Sequence, residues 1–284
     1  MSELRAQKNA AAIEKLGRAL MEIGFAILVN HNIQPGLLAA AYQFAAELFA
    51  HGEKALSRYS PEKGEAVGYT AFGREKAVGS EVADLKEFYH VRSAGNIWPT
   101  ELVPQFEPVM ARLFHVLFRL AKELADPINT FLGYEKGKIS GMLSEARSLL
   151  RIIHYPPLGP NAPEGAVRAK DHGDINPETL LPAATEGGLE VKTIDNLWVP
   201  VDEQPESIIL NMGDAMERLT KGREKRVVST RHRVVNPVGA KAGVSRYAFP
   251  LFGHFAREAI LDEETGLTAG QDFDERLADI GFGK

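Results

Sequence analysis

The 284-residue chain contains no cysteine. That absence removes disulfides, thiolate-held zinc, iron–sulfur clusters and cysteine nucleophiles together, and leaves any metal to histidine, carboxylate or water. A basic excess is missing as well. Against 38 acidic residues stand 33 lysines and arginines, a net charge of −5, which is not the electrostatic footprint of a nucleic-acid binder. Apolar runs are short: Phe25 to Val29 is typical, far below the roughly 18 residues that span a bilayer. Residues Met1 to Lys8 lack the apolar stretch of a secretory signal. The expectation is therefore a cytoplasmic protein with neither membrane nor nucleic acid as partner. What the chain does have is an ordinary globular balance, 44% hydrophobic and 25% charged residues, enough for a sizeable core.

The two halves are patterned differently. In the first, Ile13, Leu16, Leu20 and Ile23 recur at helical spacing up to Gly24. Phe25 to Val29 then reads as a buried strand. A second apolar stripe, from Leu38 to Phe49, follows Pro35, and a third runs from Met110 to Leu124, where Asp126-Pro127 should end or kink the helix. Residues 57–100, broken by Gly68, Gly73 and Pro99, read as irregular. From about Ser148 the pattern changes to short apolar blocks every eight to twelve residues: 149–155, 188–193, 197–201, 207–210, 227–235 and 245–255. That spacing suggests an antiparallel sandwich or barrel, with Asp195-Asn196 as one hairpin turn. A helix over 268–280 closes the chain. The expected fold class is α+β with a mainly β core: one globular unit over 1–284, with a helical region at 1–145, the β core at 146–256 and a helical tail at 257–284.

Chemistry concentrates in Lys170-Asp171-His172-Gly173-Asp174. In extended chain, residues two apart share a side, so His172 and Asp174 converge. By itself His-x-Asp also describes a solvated turn histidine beside a surface aspartate. A third ligand candidate, His232, lies in Thr230-Arg231-His232-Arg233-Val234. Two imidazoles and one carboxylate on one face leave three coordination positions open, the arrangement used by non-haem Fe(II) oxygenases. Arg233 points away from His232 and is expected to form a strand salt bridge.

A series of further segments appears in a fixed order. Gly24-Phe25-Ala26-Ile27-Leu28-Val29-Asn30-His31 and Tyr155-Pro156-Pro157 come first, then His172-Gly173-Asp174, Gly187-Gly188-Leu189-Glu190-Val191 and Trp198-Val199-Pro200-Val201. Asn211-Met212-Gly213-Asp214, Leu219-Thr220-Lys221-Gly222, His232-Arg233-Val234 and Arg246-Tyr247-Ala248 complete it. In this order and over nearly the whole chain, they resemble the 2-oxoglutarate/Fe(II) oxygenases of the isopenicillin-N-synthase-like group. The resemblance implies a double-stranded β-helix, or jelly roll, flanked by helices. It implies Fe(II) on His172, Asp174 and His232, and 2-oxoglutarate as cosubstrate with its distal carboxylate on Arg246, whose planar fork suits a carboxylate. Tyr155 would donate a hydrogen bond nearby. Dioxygen and a small-molecule, amino-acid or peptide-like substrate complete the expected partners. Hydroxylation, with release of succinate and CO2, is the expected reaction; desaturation or ring closure depends on how the substrate is held.

Three departures from the group's pattern matter, the first two of them for the cosubstrate. Ala248 stands where the group carries a serine hydroxyl two residues after the arginine, and Ile153 where it carries asparagine. Arg151, on the same strand face as Ile153 and Tyr155, is expected to compensate. The extended segment that normally precedes the first helix is absent, so the expectation is either that the sheet lacks an edge strand there or that the sequence begins late. These departures keep open an Fe(II) oxidase of the isopenicillin N synthase type, acting without 2-oxoglutarate, and a non-catalytic jelly-roll binding module. In Asp84 to His90, a stretch resembling the group's substrate-side wall, Tyr89 rather than His90 is expected to touch substrate.

Overall fold

The computed structural model describes residues 1–5, 9–62, 66–76, 82–159 and 164–279. Helices α1 (Ser2–Arg5), α2 (Ala10–Glu22), α3 (Pro35–Ala50), α4 (Gly52–Leu56) and α5 (Phe106–Leu132) dominate the first half. Asn9 caps α2 by accepting from the Ala12 amide, and Pro35 opens α3 where its missing N–H costs nothing. Strand β1 (Phe25–Leu28) lies between α2 and α3, and β2 (Gly68–Thr70) and β3 (Glu87–Val91) lie within the 57–100 stretch. That stretch is thus not wholly irregular. All five β3 residues are buried, so no alternation betrays the strand.

α5 continues past Pro127 and stops at Gly133, whose left-handed backbone (φ 71°) lets its amide reach Asn129 O and Thr130 O. Pro127 therefore does not end the helix. Proline removes one helical donor, and the helix's buried face, Met110 to Leu132, outweighs that loss.

After α6 (Lys138–Met142) come β4 (Leu143–Tyr155), β5 (Ala169–His172), β6 (Glu178–Pro182), β7 (Leu189–Lys192), β8 (Trp198–Pro200) and β9 (Ile208–Met212). A short α7 (Asp214–Leu219) precedes β10 (His232–Val234), β11 (Arg246–Ala248), β12 (Leu251–Phe255) and a small β13–β14 hairpin (Ile260–Asp262, Leu267–Thr268). The tail helix α8 is Ala269–Asp279; residue 280 of the expected span lies outside the described residues. Of the expected 227–235 strand only His232–Val234 is extended, and 245–255 divides at Phe249-Pro250, where proline interrupts the ladder. Asn196 turns the β7–β8 hairpin in the left-handed region (φ 61°), as a short-loop asparagine can.

The strands form two antiparallel sheets. One has the order β1-β9-β6-β12-β4-β3-β2, with β11 also paired to β4; the other is β5-β10-β7-β8. At its β9 side the large sheet ends in β1, among the described residues. Phe25, Phe88, Ile153, Tyr155 and Ile209 of the large sheet pack against Ala169, Leu189, Val191 and Val234 of the small one. That apolar layer is the interior of a jelly roll. The opposite face of the large sheet, with Leu150, Ile152, Leu180, Leu210 and Leu251, packs on α2, α3 and α5. The alternation along β3 and β4 follows: Phe88, His90, Arg151, Ile153 and Tyr155 look into the jelly roll, while Tyr89, Val91, Leu150 and Ile152 look at the helices.

Candidate metal centre and cosubstrate site

His172 ends β5 and His232 begins β10, and the two are registered directly opposite each other. Their rings lie 4.4 Å apart. Asp174, two residues past His172, turns into the same space: one ligand atom from each of His172, Asp174 and His232 can be chosen so that all lie within 4.8 Å of one another. His232 Nε2 is 3.8 Å from Asp174 Oδ1. Each donor is aimed by a second contact. His172 Nδ1 lies 2.6 Å from Lys170 O and His232 Nδ1 3.2 Å from Thr230 O, so Nδ1 is the donor on both rings and Nε2 keeps its lone pair. Asp174 Oδ2 accepts from Thr179 Oγ1 at 2.6 Å and Asn211 Nδ2 at 2.8 Å, which leaves Oδ1 for the centre.

The electrostatics suit a cation. Burial pushes the His172 imidazole down to about 4, helped by the neighbouring His232 and Lys86, so it is neutral at neutral pH. Burial acts on Asp174 in the opposite sense, but His232, His172 and its two hydrogen bonds outweigh it and hold the carboxyl below its ordinary value. Two imidazoles and one carboxylate, with no sulfur donor, fit a divalent iron centre with open positions.

Close backbone approach holds the ligand loop. Gly213 N donates to Pro177 O, and Asp214 N donates to Asp174 O at 2.8 Å. A Cβ on Gly213 would sit 2.0 Å from Asn176 O and 2.5 Å from Asp174 O. Gly213→Ala must therefore displace backbone beside a ligand; an expected loss of about 1–3 kcal/mol, read by thermal melting, should come with weaker metal binding. Asn211→Ala leaves Oδ2 with one donor fewer. Its Fe(II) affinity should fall about 10- to 100-fold in anaerobic titration, with little change in melting temperature.

The expected cosubstrate residues divide. Arg246 on β11 is registered against Tyr155, and its guanidinium carbon lies 5.2 Å from that ring's centroid. It is 1% exposed, donates from Nε to Glu186 O at 2.7 Å, and lies 3.3 Å from Glu203 Oε1. Glu203 Oε2 in turn accepts from Ala184 N. Arg246 is thus anchored from behind with donors to spare. Ala248 is registered against Ile153, so the two positions that lack hydroxyl and amide are neighbours.

Arg151 does not join this pair. It shares their face, but four residues of extended chain separate it from Tyr155, about 13 Å. There Arg151 Nε donates to His90 Nε2 at 2.7 Å, and Nη1 meets Glu75 Oε1 at 3.1 Å. Lys86 Nζ reaches the same Glu75 oxygen at 2.7 Å and Asp84 at 2.8 Å. Tyr89 is also misplaced by the sequence reading. It is fully buried among the helices, edge-on to Phe106, with its hydroxyl donating to Ile97 O at 2.6 Å. His90, one residue on, is the side chain that faces the jelly-roll interior, because successive residues of a strand point to opposite faces. Arg233 pairs with Glu190 at 2.7 Å, the expected salt bridge. Sequence reasoning missed Thr179, Asn211, Lys86 and Glu75. Asn211 and Thr179 gave a usable signal only through strand order, since each reaches Asp174 from a different strand.

Comparison with known proteins agrees with this geometry. Residues 1–106 match the family model described as the N-terminal region of a non-haem dioxygenase in morphine synthesis, and residues 146–254 match the 2OG-Fe(II) oxygenase superfamily. A solved 2OG-Fe(II) oxygenase family protein of Caulobacter crescentus is 32% identical, with a TM-score of 0.81 over 95% of this chain and 96% of that one. A full-length Neurospora crassa protein, solved in complex with alpha-KG, is 25% identical with a TM-score of 0.82, covering 94% of this chain and 90% of that one. A proline hydroxylase of Petromyces alliaceus is 29% identical over 88% of this chain and 83% of its own length. The chain belongs to the 2OG-Fe(II) oxygenase superfamily. It is a 2-oxoglutarate- and Fe(II)-dependent dioxygenase.

Proposed function

We propose that His172, Asp174 and His232 hold the iron, that Arg246 beside Tyr155 receives the distal carboxylate of 2-oxoglutarate, and that the substrate is a small polar molecule of the amino-acid kind. The observation that carries the metal assignment is the division of labour at Asp174: Oδ2 is tied to Thr179 and Asn211, while Oδ1 faces His232 Nε2. Bound there, iron with 2-oxoglutarate and dioxygen supplies the oxidising power, releasing succinate and CO2. The chain supplies position. Burial keeps the His172 imidazole neutral, and the Lys170 and Thr230 carbonyls fix the ring orientations. Arg246, immobilised by Glu186 O and Glu203, presents its remaining N–H groups to a carboxylate at the Tyr155 end of the interior.

The substrate assignment rests on a linked charged cluster that runs along the interior face from His90 and Arg151 towards Tyr155, whose hydroxyl acts on Lys86. Lys86, Glu75, Arg151 and His90 form a charged wall on the interior face; Asp84 ties it to the metal-ligand strand by accepting from Lys170 N at 3.1 Å. Such a wall favours a polar, charged substrate over an apolar one, in keeping with the relative named as a proline hydroxylase. A small molecule rather than nucleic acid fits the net charge of −5, and the cytoplasm is the compartment we assign. Among the described residues no helix is long and apolar enough to cross a membrane.

The test is a screen of free amino acids and short peptides with iron, 2-oxoglutarate and oxygen, succinate being the readout. Amino-acid-dependent succinate, lowered at least about tenfold by Arg151→Leu through KM, is the expected result. Preferred turnover of uncharged apolar compounds would overturn the substrate assignment.

A further inference from the structure

A second guanidinium lies at the Arg246 end of the interior. Arg168 is 1% exposed, and its guanidinium carbon stands 5.9 Å from the centroid of the Tyr155 ring that Arg246 also approaches. It is held firmly: its backbone N–H donates to Asn236 Oδ1 at 3.0 Å, and Asn236 Nδ2 donates to Ala166 O at 2.8 Å. The side chain crosses to the start of β11 and donates from Nη2 to Val244 O at 3.0 Å, two residues before Arg246. Its Nε, fully buried, has no hydrogen-bond partner among the described residues. Nor does any carboxylate among them close an ion pair with it, whereas Arg246 has Glu203.

Such a group is costly. A buried cation without a counter-ion forfeits its hydration, and a neighbouring cation adds to the cost. Here the two effects coincide: burial and the charge of Arg246 both push the Arg168 guanidinium below its ordinary value. Among the described residues Glu203 pairs with Arg246, while Glu186 acts on Arg168 only beyond ion-pair distance and meets Lys241 at 3.5 Å, so a positive excess remains around Tyr155. This excess lies where Ala248 and Ile153 supply no polar contact.

We propose that Arg168 is a second binding residue for the distal carboxylate of 2-oxoglutarate, supplying with its free donors the contacts that Ala248 and Ile153 lack. The inference rests on the assignment of that carboxylate to Arg246. One carboxylate has lone pairs enough for both guanidinium groups, and its charge cancels the excess. Arg168 takes the part expected of Arg151, which Glu75 and His90 hold further back along β4.

The experiment is an anaerobic titration of the Fe(II)-loaded protein, followed by its visible metal-to-ligand charge-transfer band. Two ligands are compared: 2-oxoglutarate, and 2-oxobutyrate, which carries the same oxo-acid head without the distal carboxylate. Arg168→Gln should weaken 2-oxoglutarate about 10- to 100-fold and leave 2-oxobutyrate unchanged. Arg168→Lys, which keeps the charge but not the fork, should fall between, and it carries the test if the glutamine variant does not fold. Adding Ala248→Ser to Arg168→Gln should recover part of the 2-oxoglutarate affinity. Equal losses for both ligands, or no loss for either at unchanged iron stoichiometry, would overturn the role of Arg168. Failure of the unaltered protein to prefer 2-oxoglutarate over 2-oxobutyrate would instead overturn the Arg246 assignment.

Discussion

Asp174→Ala should give a folded protein that binds Fe(II) at least about a hundredfold more weakly and forms no measurable succinate from 2-oxoglutarate. Three consequences of one substitution combine. The only negative charge among the three ligands disappears, the donors of Thr179 and Asn211 lose their acceptor, and two imidazoles are left facing a cation without charge compensation. Asp174→Asn separates these effects. It keeps an acceptor for Thr179 and Asn211 but removes the charge, so iron affinity should stay low while the melting temperature stays near that of the parent. Equilibrium dialysis under nitrogen and a succinate assay read both variants. Stoichiometric iron at unchanged affinity in Asp174→Ala would remove this carboxylate from the centre.

The second large effect lies on the other side of the same sheet. Glu178, four residues after Asp174, points towards the helices and is fully buried, with no hydrogen-bond partner on either carboxyl oxygen among the described residues. Gly253 is its register partner, and the missing side chain there makes the room it occupies. Burial pushes its carboxyl up to about 8, against a weaker pull from Lys122, whose ammonium is engaged by Ser140 O. The folded state therefore holds a neutral acid, while the unfolded chain ionises near the ordinary carboxyl value. At low pH the group is protonated in both states and adds no titration cost there. As pH rises from about 4.5 to about 8 the unfolded state loses its proton first, and stability falls throughout that window. The total is on the order of 5 kcal/mol, at 1.36 kcal/mol per pKa unit. Glu178→Leu removes the titration and satisfies an apolar site of similar volume. Its melting temperature should exceed the parent's by on the order of 10 °C at pH 8, and by much less at pH 5. A gain independent of pH would show that Glu178 does not titrate in this window.

Much of this was legible in the sequence. Strand alternation led us to expect His172 and Asp174 to converge, and the family resemblance carried by the order of short segments put His232 and Arg246 with them. The spacing of apolar blocks pointed to an antiparallel sandwich or barrel, and the family resemblance narrowed it to a jelly roll. What could not be read is the parity of strands buried on both faces. β3 carries Glu-Phe-Tyr-His-Val with every residue buried, so nothing local distinguishes the residue that meets α5 from the one that meets the interior. Tyr89 and His90 exchange roles on that point. Arg151 fails for a related reason: sharing a face with Tyr155 says nothing of distance along the strand, and only the partners Glu75 and His90 fix where its charge ends up. The support of Asp174 was hidden too. Thr179 and Asn211 come together because β6 and β9 pair with Thr179 opposite Asn211, a long-range register that no local pattern contains.

The direct registration of His172 against His232 also bears on the life of the protein in the cell. A metal held by both is a clasp between two strands of the smaller sheet, whose ladder there is short and interrupted by a bulge. Occupancy at a hundred times the dissociation constant adds about 2.7 kcal/mol to the folded state. With iron bound there, its supply would set resistance to proteolysis as well as activity, and starved cells should clear the empty enzyme faster than the loaded one.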